Sequence, residues 1–113
     1  MRHISFALTT PQIRDRSKTV TRRLGWRTLA VGTLLQPIVK GQGLKKGETV
    51  ERIGGPIRVV NVRRELLYHI TQEDVVREGF PAMRPYEFIE MFMRHHGCDS
   101  DTEVTRIEFM YVD

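Results

Sequence analysis

One cysteine, Cys98, stands among 113 residues, so the chain can hold neither an internal disulfide nor a cysteine-rich zinc site. No apolar run reaches the roughly 18 residues that a membrane-crossing helix needs. Met1-Arg2-His3-Ile4-Ser5 is followed by no continuous apolar stretch, so no secretory signal is expected and the expectation is a cytoplasmic protein. The glycine-rich residues 41–47 (Gly-Gln-Gly-Leu-Lys-Lys-Gly) lack the Gly-Lys-Ser/Thr ending of a phosphate-binding loop. His-Glu-x-x-His, the His-x-Glu with paired cysteines of zinc deaminases, and a serine nucleophile elbow are all missing. Lysine is scarce as well: there are 4, against 14 arginines.

What is present suits one folded domain spanning residues 1–113. Hydrophobic residues make up 40% and charged residues 28%, too apolar for a disordered chain. Lysine and arginine total 18 against 14 acidic residues, a formal net charge of +4. The isoelectric point is near 9.6. The arginine fork pairs with phosphates and stacks on bases, so the balance suits a nucleotide or nucleic-acid ligand. A solvated basic surface is the plainer alternative.

Along the chain, residues 3–8 alternate with Ile4, Phe6 and Leu8 on one face, the pattern of a half-buried strand. Thr10 followed by Pro11 opens a short helix that reaches about residue 17. Residues 18–23 carry β-branched side chains and read as extended. Gly25-Trp26 marks a turn, and residues 33–40 form a strand in which Pro37 belongs at an edge or a bulge. Residues 48–53 and 57–67 read as strands around a hairpin signal, Gly54-Gly55-Pro56. Thr71 with Asp74 three places on resembles a capping box, and Gly79 stops that helix. A second helix starts near Pro85, buries Phe88, Ile89 and Phe92, and ends at Gly97. Residues 104–112 close the chain as a strand. Strands and helices do not alternate regularly, so an α+β, barrel-like sheet fits better than a parallel α/β sheet.

Three segments carry reactive side chains. Lys18-Thr19-Val20-Thr21-Arg22-Arg23 sets a lysine near threonine hydroxyls, and a neutral lysine can activate such a hydroxyl. On a regular strand Lys18 and Thr21 point to opposite faces, so they meet only if the chain turns between them, as at the helix-to-strand junction near Ser17. A charged edge strand is the alternative. Glu78 ends a helix where the dipole disfavours a carboxylate, which asks for a cationic partner or for full solvation. His95 and His96 are of metal-ligand type. They diverge on a helix, however, and no second cluster completes a site, so no metal is expected. Two cations at a helix C-terminus suit the dipole. Trp26 is either a base-stacking residue or an anchor beside a turn.

Lys18 to Arg23 resembles the signature of the ASCH (activating signal cointegrator homology) domains, a branch of the PUA-like folds. That signature is a glycine, one spacer, a lysine, and an arginine five positions later. Lys18 and Arg23 fill the last two places, and Arg16 stands where the glycine is usual. Val31-Gly32-Thr33-Leu34-Leu35 looks like the family's turn into its second strand, with threonine in place of the usual aspartate. Residues 70–80 look like its helix bearing an acidic residue before Gly-Phe, and residues 105–109 like its closing strand.

The resemblance covers nearly the whole chain. It implies a PUA-like mixed β-barrel of five to six strands, with a short N-terminal helix and two helices before the last strand. Small bacterial members are amidohydrolases that cleave N(4)-acetylcytidine to cytidine and acetate with a lysine, a threonine three residues later and a distant glutamate. These fall on Lys18, Thr21 and Glu78, with Glu73 as the alternative carboxylate. In this reading Thr21 attacks, Lys18 is the base, and Glu78 orients it. Arg22, Arg23 and Trp26 bind the substrate, a small nucleoside, and no metal or organic cofactor is called for. The expected state is a monomer. Other members bind RNA or have been described as ribonucleases, so a non-catalytic RNA-binding module and a ribonuclease stand as alternatives.

Overall fold

The computed structural model describes residues 1–41, 47 and 49–113. Among the described residues five strands form one mixed sheet in the order β1-β3-β4-β5-β2. Strand β1 (Arg2–Ser5) runs parallel to β3 (Leu34–Ile38). Strand β3 is antiparallel to β4 (Ile57–Leu66), β4 to β5 (Glu103–Tyr111), and β5 to β2 (Val20–Arg23). Helix α1 (Thr10–Arg14) joins β1 to β2. A 3-10 turn (Leu67–His69) and helices α2 (Gln72–Arg77) and α3 (Pro85–His96) lie between β4 and β5.

Local chemistry explains these elements. Pro11 sits in the first turn of α1, where no N–H is needed, but the N-cap is Thr9 rather than Thr10. The Thr10 hydroxyl donates instead to the carbonyl of Phe6 (2.9 Å). At α2 the Thr71 hydroxyl accepts from the Asp74 N–H (3.2 Å), so that cap forms as expected. Helix α3 ends on Gly97 in the left-handed region (φ 64). Pro37 lies beyond the last β3–β4 pair, Leu35 with Ile57, so its missing N–H breaks no bond between those strands.

Several expectations need correction. Helix α1 stops at Arg14, short of residue 17. Gly54-Gly55-Pro56 is a detour, not a hairpin: Arg52 bridges to Ile38 and Ile57 pairs with Leu35, so the segments on either side of it both pair with β3. Residues 42–46 and 48, part of the expected loop and strand there, lie outside the described residues.

The sheet is also not closed into a barrel. Among the described residues no ladder joins β1 to β2. The Arg23 guanidinium crosses that gap by donating to the Ser5 carbonyl (2.6 Å). A register shift between Val59 and Asn61 on β4 adds a local bend to the sheet.

Among the described residues two apolar clusters hold the fold. One gathers Ile4, Phe6, Leu35, Val59, Ile107 and Phe109 around the sheet. The other packs Leu67, Ile70, Val75, Phe88, Phe92 and Val104 under α2 and α3. Burying a side chain such as Phe88 or Phe92 stabilises by about 1.5–3 kcal/mol. No helix among the described residues is long and apolar enough to cross a membrane.

Candidate active site

The approach to Lys18 begins with a reversal. Past α1, Asp15 caps the helix and Arg16 takes a left-handed conformation (φ 64). A residue with a Cβ does so at a cost of about 1–2 kcal/mol, which is why glycine is usual at such a turn. Arg16 is the residue that stands in the signature's glycine position. Its guanidinium pairs with Asp113 and lies 5.3 Å from the Tyr111 ring centroid. Lys18 N–H then donates to the Gln12 carbonyl (3.2 Å), and Thr19 N–H to the Arg77 carbonyl (2.8 Å). Burial pushes the Tyr111 phenol up to about 12, so it remains a donor, and it donates to the Lys18 carbonyl (2.5 Å). Strand β2 starts only at Val20. Lys18 therefore precedes the strand, and both Lys18 and Thr21 line one cavity.

Glu78 reaches the same cavity from α2, where it is the C-cap. Gly79 follows at φ 99, and a Cβ there would lie 2.8 Å from Gln12 Cγ. The Lys18 Nζ donates to Glu78 Oε1 (2.7 Å) and to the Glu78 carbonyl (2.8 Å), which also caps the helix end. Glu78 Oε2 accepts from Arg22 Nη1 (3.1 Å). The unfavourable carboxylate at the helix end thus has two cationic partners. Burial lowers the Lys18 pKa from its ordinary 10.5; Glu78 pulls it back up, while Arg23 and Arg22 lower it further. Glu73, by contrast, is exposed and pairs with Arg77 at 3.7 Å.

Thr21 is 3% exposed, and its Oγ1 accepts from Arg23 Nε (3.1 Å). That bond uses a lone pair and leaves the hydroxyl proton for another acceptor. The Arg23 guanidinium also lies over the Phe6 ring, 4.8 Å from its centroid. Burial lowers the Arg23 pKa to about 10, against the pull of Glu78. The cavity encloses about 150 Å³. Phe6, Leu8, Phe80, Phe88 and Phe92 furnish apolar walls opposite the charged groups. It therefore lies between the two apolar clusters.

Two expected substrate-binding residues sit elsewhere or are already occupied. Arg22 borders the cavity, but its terminal nitrogens go to Glu78, Glu65 (3.0 Å) and Asp74 (2.6 Å). Among the described residues only its Nε is a buried side-chain polar atom without a partner. Trp26 is outside the cavity lining, stacked 3.8 Å from Arg2 and packed on the sheet cluster. It is an anchor beside the turn. His95 and His96, read as a charged helix end, do line the cavity. Burial lowers the His96 pKa, with His95 and Arg23 adding to the effect. Among the described residues no three His, Cys, Asp or Glu side chains are grouped to hold a metal ion.

Sequence reasoning missed the support behind the site. Arg22 on β2 and Arg106 on β5 are cross-strand partners, an arrangement that repels unless an anion intervenes. Asp74 is the nearest such anion: its carboxylate accepts from Arg22 (2.6 Å) and twice from Arg106 (2.6 and 3.0 Å), and Glu65 lies 3.0 Å from Arg22 and 4.0 Å from Arg106. Burial alone would raise the Asp74 pKa, but the hydrogen bonds and charges of Arg106 and Arg22 outweigh it and hold the carboxyl well below the usual range. Arg106 alternates with Ile107 and Phe109 on a strand that also carries Glu108, so nothing local marks it as buried.

No family model matches the chain, and no curated protein does. Solved structures do. A DUF984-family protein from Enterococcus faecalis aligns with TM-score 0.69 and 13% identity, over 100% of this chain and 77% of that one. An ASCH domain from Lactobacillus crispatus aligns with TM-score 0.64 and 13% identity, over 96% of this chain and 77% of that one. At such identity the likeness concerns the fold, and there it agrees with the resemblance carried by Lys18 and Arg23. The chain has an ASCH-like fold.

Proposed function

We propose that the protein is an amidohydrolase that removes the acyl group from an N(4)-acylated cytidine, with N(4)-acetylcytidine as the reference substrate. The supporting observation is the meeting of Lys18, Thr21 and Glu78 at one cavity, with all three buried. A cavity of about 150 Å³ can hold benzene, which is room for the acyl-amide end of the substrate, with the rest of the nucleoside toward the mouth.

In this mechanism the Thr21 hydroxyl attacks the amide carbonyl while its proton passes to the neutral amine of Lys18. Arg23, beside Thr21, stabilises the oxyanion; Arg22 is committed to carboxylates and positions Glu78. The C–N bond breaks as Lys18 returns the proton to the exocyclic nitrogen. Water then attacks the threonyl ester, Lys18 again takes the proton, and Thr21 recovers it as the carboxylic acid leaves and ionises. Glu78 holds the lysine in place throughout.

The test is the loss of N(4)-acetylcytidine absorbance with purified protein. Wild type turns over. Lys18→Ala loses about 10²–10⁴-fold in kcat. Thr21→Ala is impaired with the fold intact, and Glu78→Ala is impaired and also less stable because it unpairs the buried Lys18. Inertness of the wild type toward several acylated cytidines contradicts the reading. Salt-dependent RNA binding is then the property to measure.

A further inference from the structure

The cations at the cavity are not equivalent. Lys18 is paired with Glu78, and Arg22 with Glu65, Asp74 and Glu78. Arg23 forms no ion pair among the described residues. Its Nε goes to Thr21, its Nη2 to the Ser5 carbonyl, and its Nη1 makes no hydrogen bond there. Neither acceptor carries a charge. Arg23 is half-buried against an apolar wall, and its Nη1 is left open to a ligand, so a bound anion would gain a charged partner that no carboxylate among the described residues already holds. The hydroxyl of Thr21, its proton uncommitted, supplies a second donor at the same spot.

We propose that the cavity binds a small carboxylate at Arg23 and Thr21, with the carboxylate's apolar end against Phe80, Phe88 and Phe92. The uncommitted Nη1 of Arg23 and the Thr21 hydroxyl can each donate to a carboxylate oxygen. A single unpaired cation balances a monoanion. The volume of about 150 Å³ admits acids from acetate to aromatic-ring size. The lowered pKa of Arg23, about 10, still leaves it charged at neutral pH. A corollary rests on the amidohydrolase reading: the acid product occupies the subsite of the attacked acyl group, so free carboxylates compete with substrate.

The experiment is an NMR titration of isotope-labelled protein with acetate at constant ionic strength, beside acetamide, which has the same shape without the charge. Acetate gives saturable shifts at Thr21, Arg23 and Phe80, and acetamide binds at least about tenfold more weakly. In Arg23→Gln, checked for an unchanged melting temperature, the preference for acetate disappears. Equal binding of acetate and acetamide by the wild type overturns the proposal. So do acetate shifts that persist in the variant. If acetate binds but no acylated cytidine is turned over, the carboxylate site stands and the amidohydrolase reading falls. If turnover proceeds with no acetate binding, the carboxylate site alone falls.

Discussion

The Lys18 ammonium donates at once to the side-chain carboxylate and the main-chain carbonyl of Glu78, at 2.7 and 2.8 Å. A single cation thus closes the end of α2 and neutralises the carboxylate that the helix dipole disfavours. The pair also fixes the titration of Lys18. Burial drives its pKa down, and Glu78 is the principal group opposing that fall.

A pH prediction follows from those signs. The mechanism needs neutral Lys18, so activity rises as the pH passes upward through the Lys18 pKa. Glu78→Gln removes the raising influence and keeps burial, Arg22 and Arg23, so the rising limb of kcat moves to lower pH, with a reduced maximum. A kcat–pH profile of both proteins measures it. A limb that stays in place or moves up contradicts the assignment of Lys18 as base.

Asp74 sustains the site from behind. Replacing it with asparagine removes the anion nearest to both Arg22 and Arg106 and leaves them only Glu65, Glu78 and Glu108, at a cost of about 1–3 kcal/mol in unfolding free energy. The folded pKa of Asp74 lies below its ordinary 3.8, so its contribution is present above the unfolded value and is lost as the pH falls through the folded one. Urea unfolding at pH 7 therefore separates wild type from Asp74→Asn widely, and the gap narrows as the pH drops below 4. A gap under about 1 kcal/mol at pH 7 would show the network to be dispensable.

Gly79 governs how closely Glu78 approaches Lys18. Alanine there meets both the positive φ of 99 and the Gln12 side chain, and it costs more than about 1 kcal/mol. Thermal unfolding reads this directly. Gln12→Ala in the same chain removes the Cγ clash but leaves the Cβ contact at 3.0 Å and the backbone strain and loses the Gln12 hydrogen bond to the Gly79 carbonyl, so it does not restore wild-type stability. Wild-type stability in Gly79→Ala would mean that the turn tolerates a Cβ.

Much of this arrangement was readable in the sequence because it is local. Thr71, Gly79, Pro85 and Gly97 act through turns and caps a few residues long, and the helices they bound are close to those expected. The sequence asks for a turn between Lys18 and Thr21; the left-handed residue, Arg16, lies before both, and Lys18 falls outside the strand because β2 starts only at Val20. Non-local relations were not readable. Nothing near Arg22 in the chain says that Asp74 and Glu65 take its nitrogens, so it looked available to substrate. Closure into a barrel depends on whether β1 and β2 pair, and a side chain from β2 spans that gap instead. Trp26 is next to a turn in both views, but only packing shows that it faces Arg2 and the core rather than the cavity.

The most direct measurement is the mass of the intact protein after rapid quenching with N(4)-acetylcytidine. The account predicts an added acetyl group on the wild type, located at Thr21 by peptide mapping and absent from Thr21→Ala. Turnover by the wild type with no acetyl on Thr21, or with full activity in Thr21→Ala, would contradict the assignment of Thr21 as nucleophile.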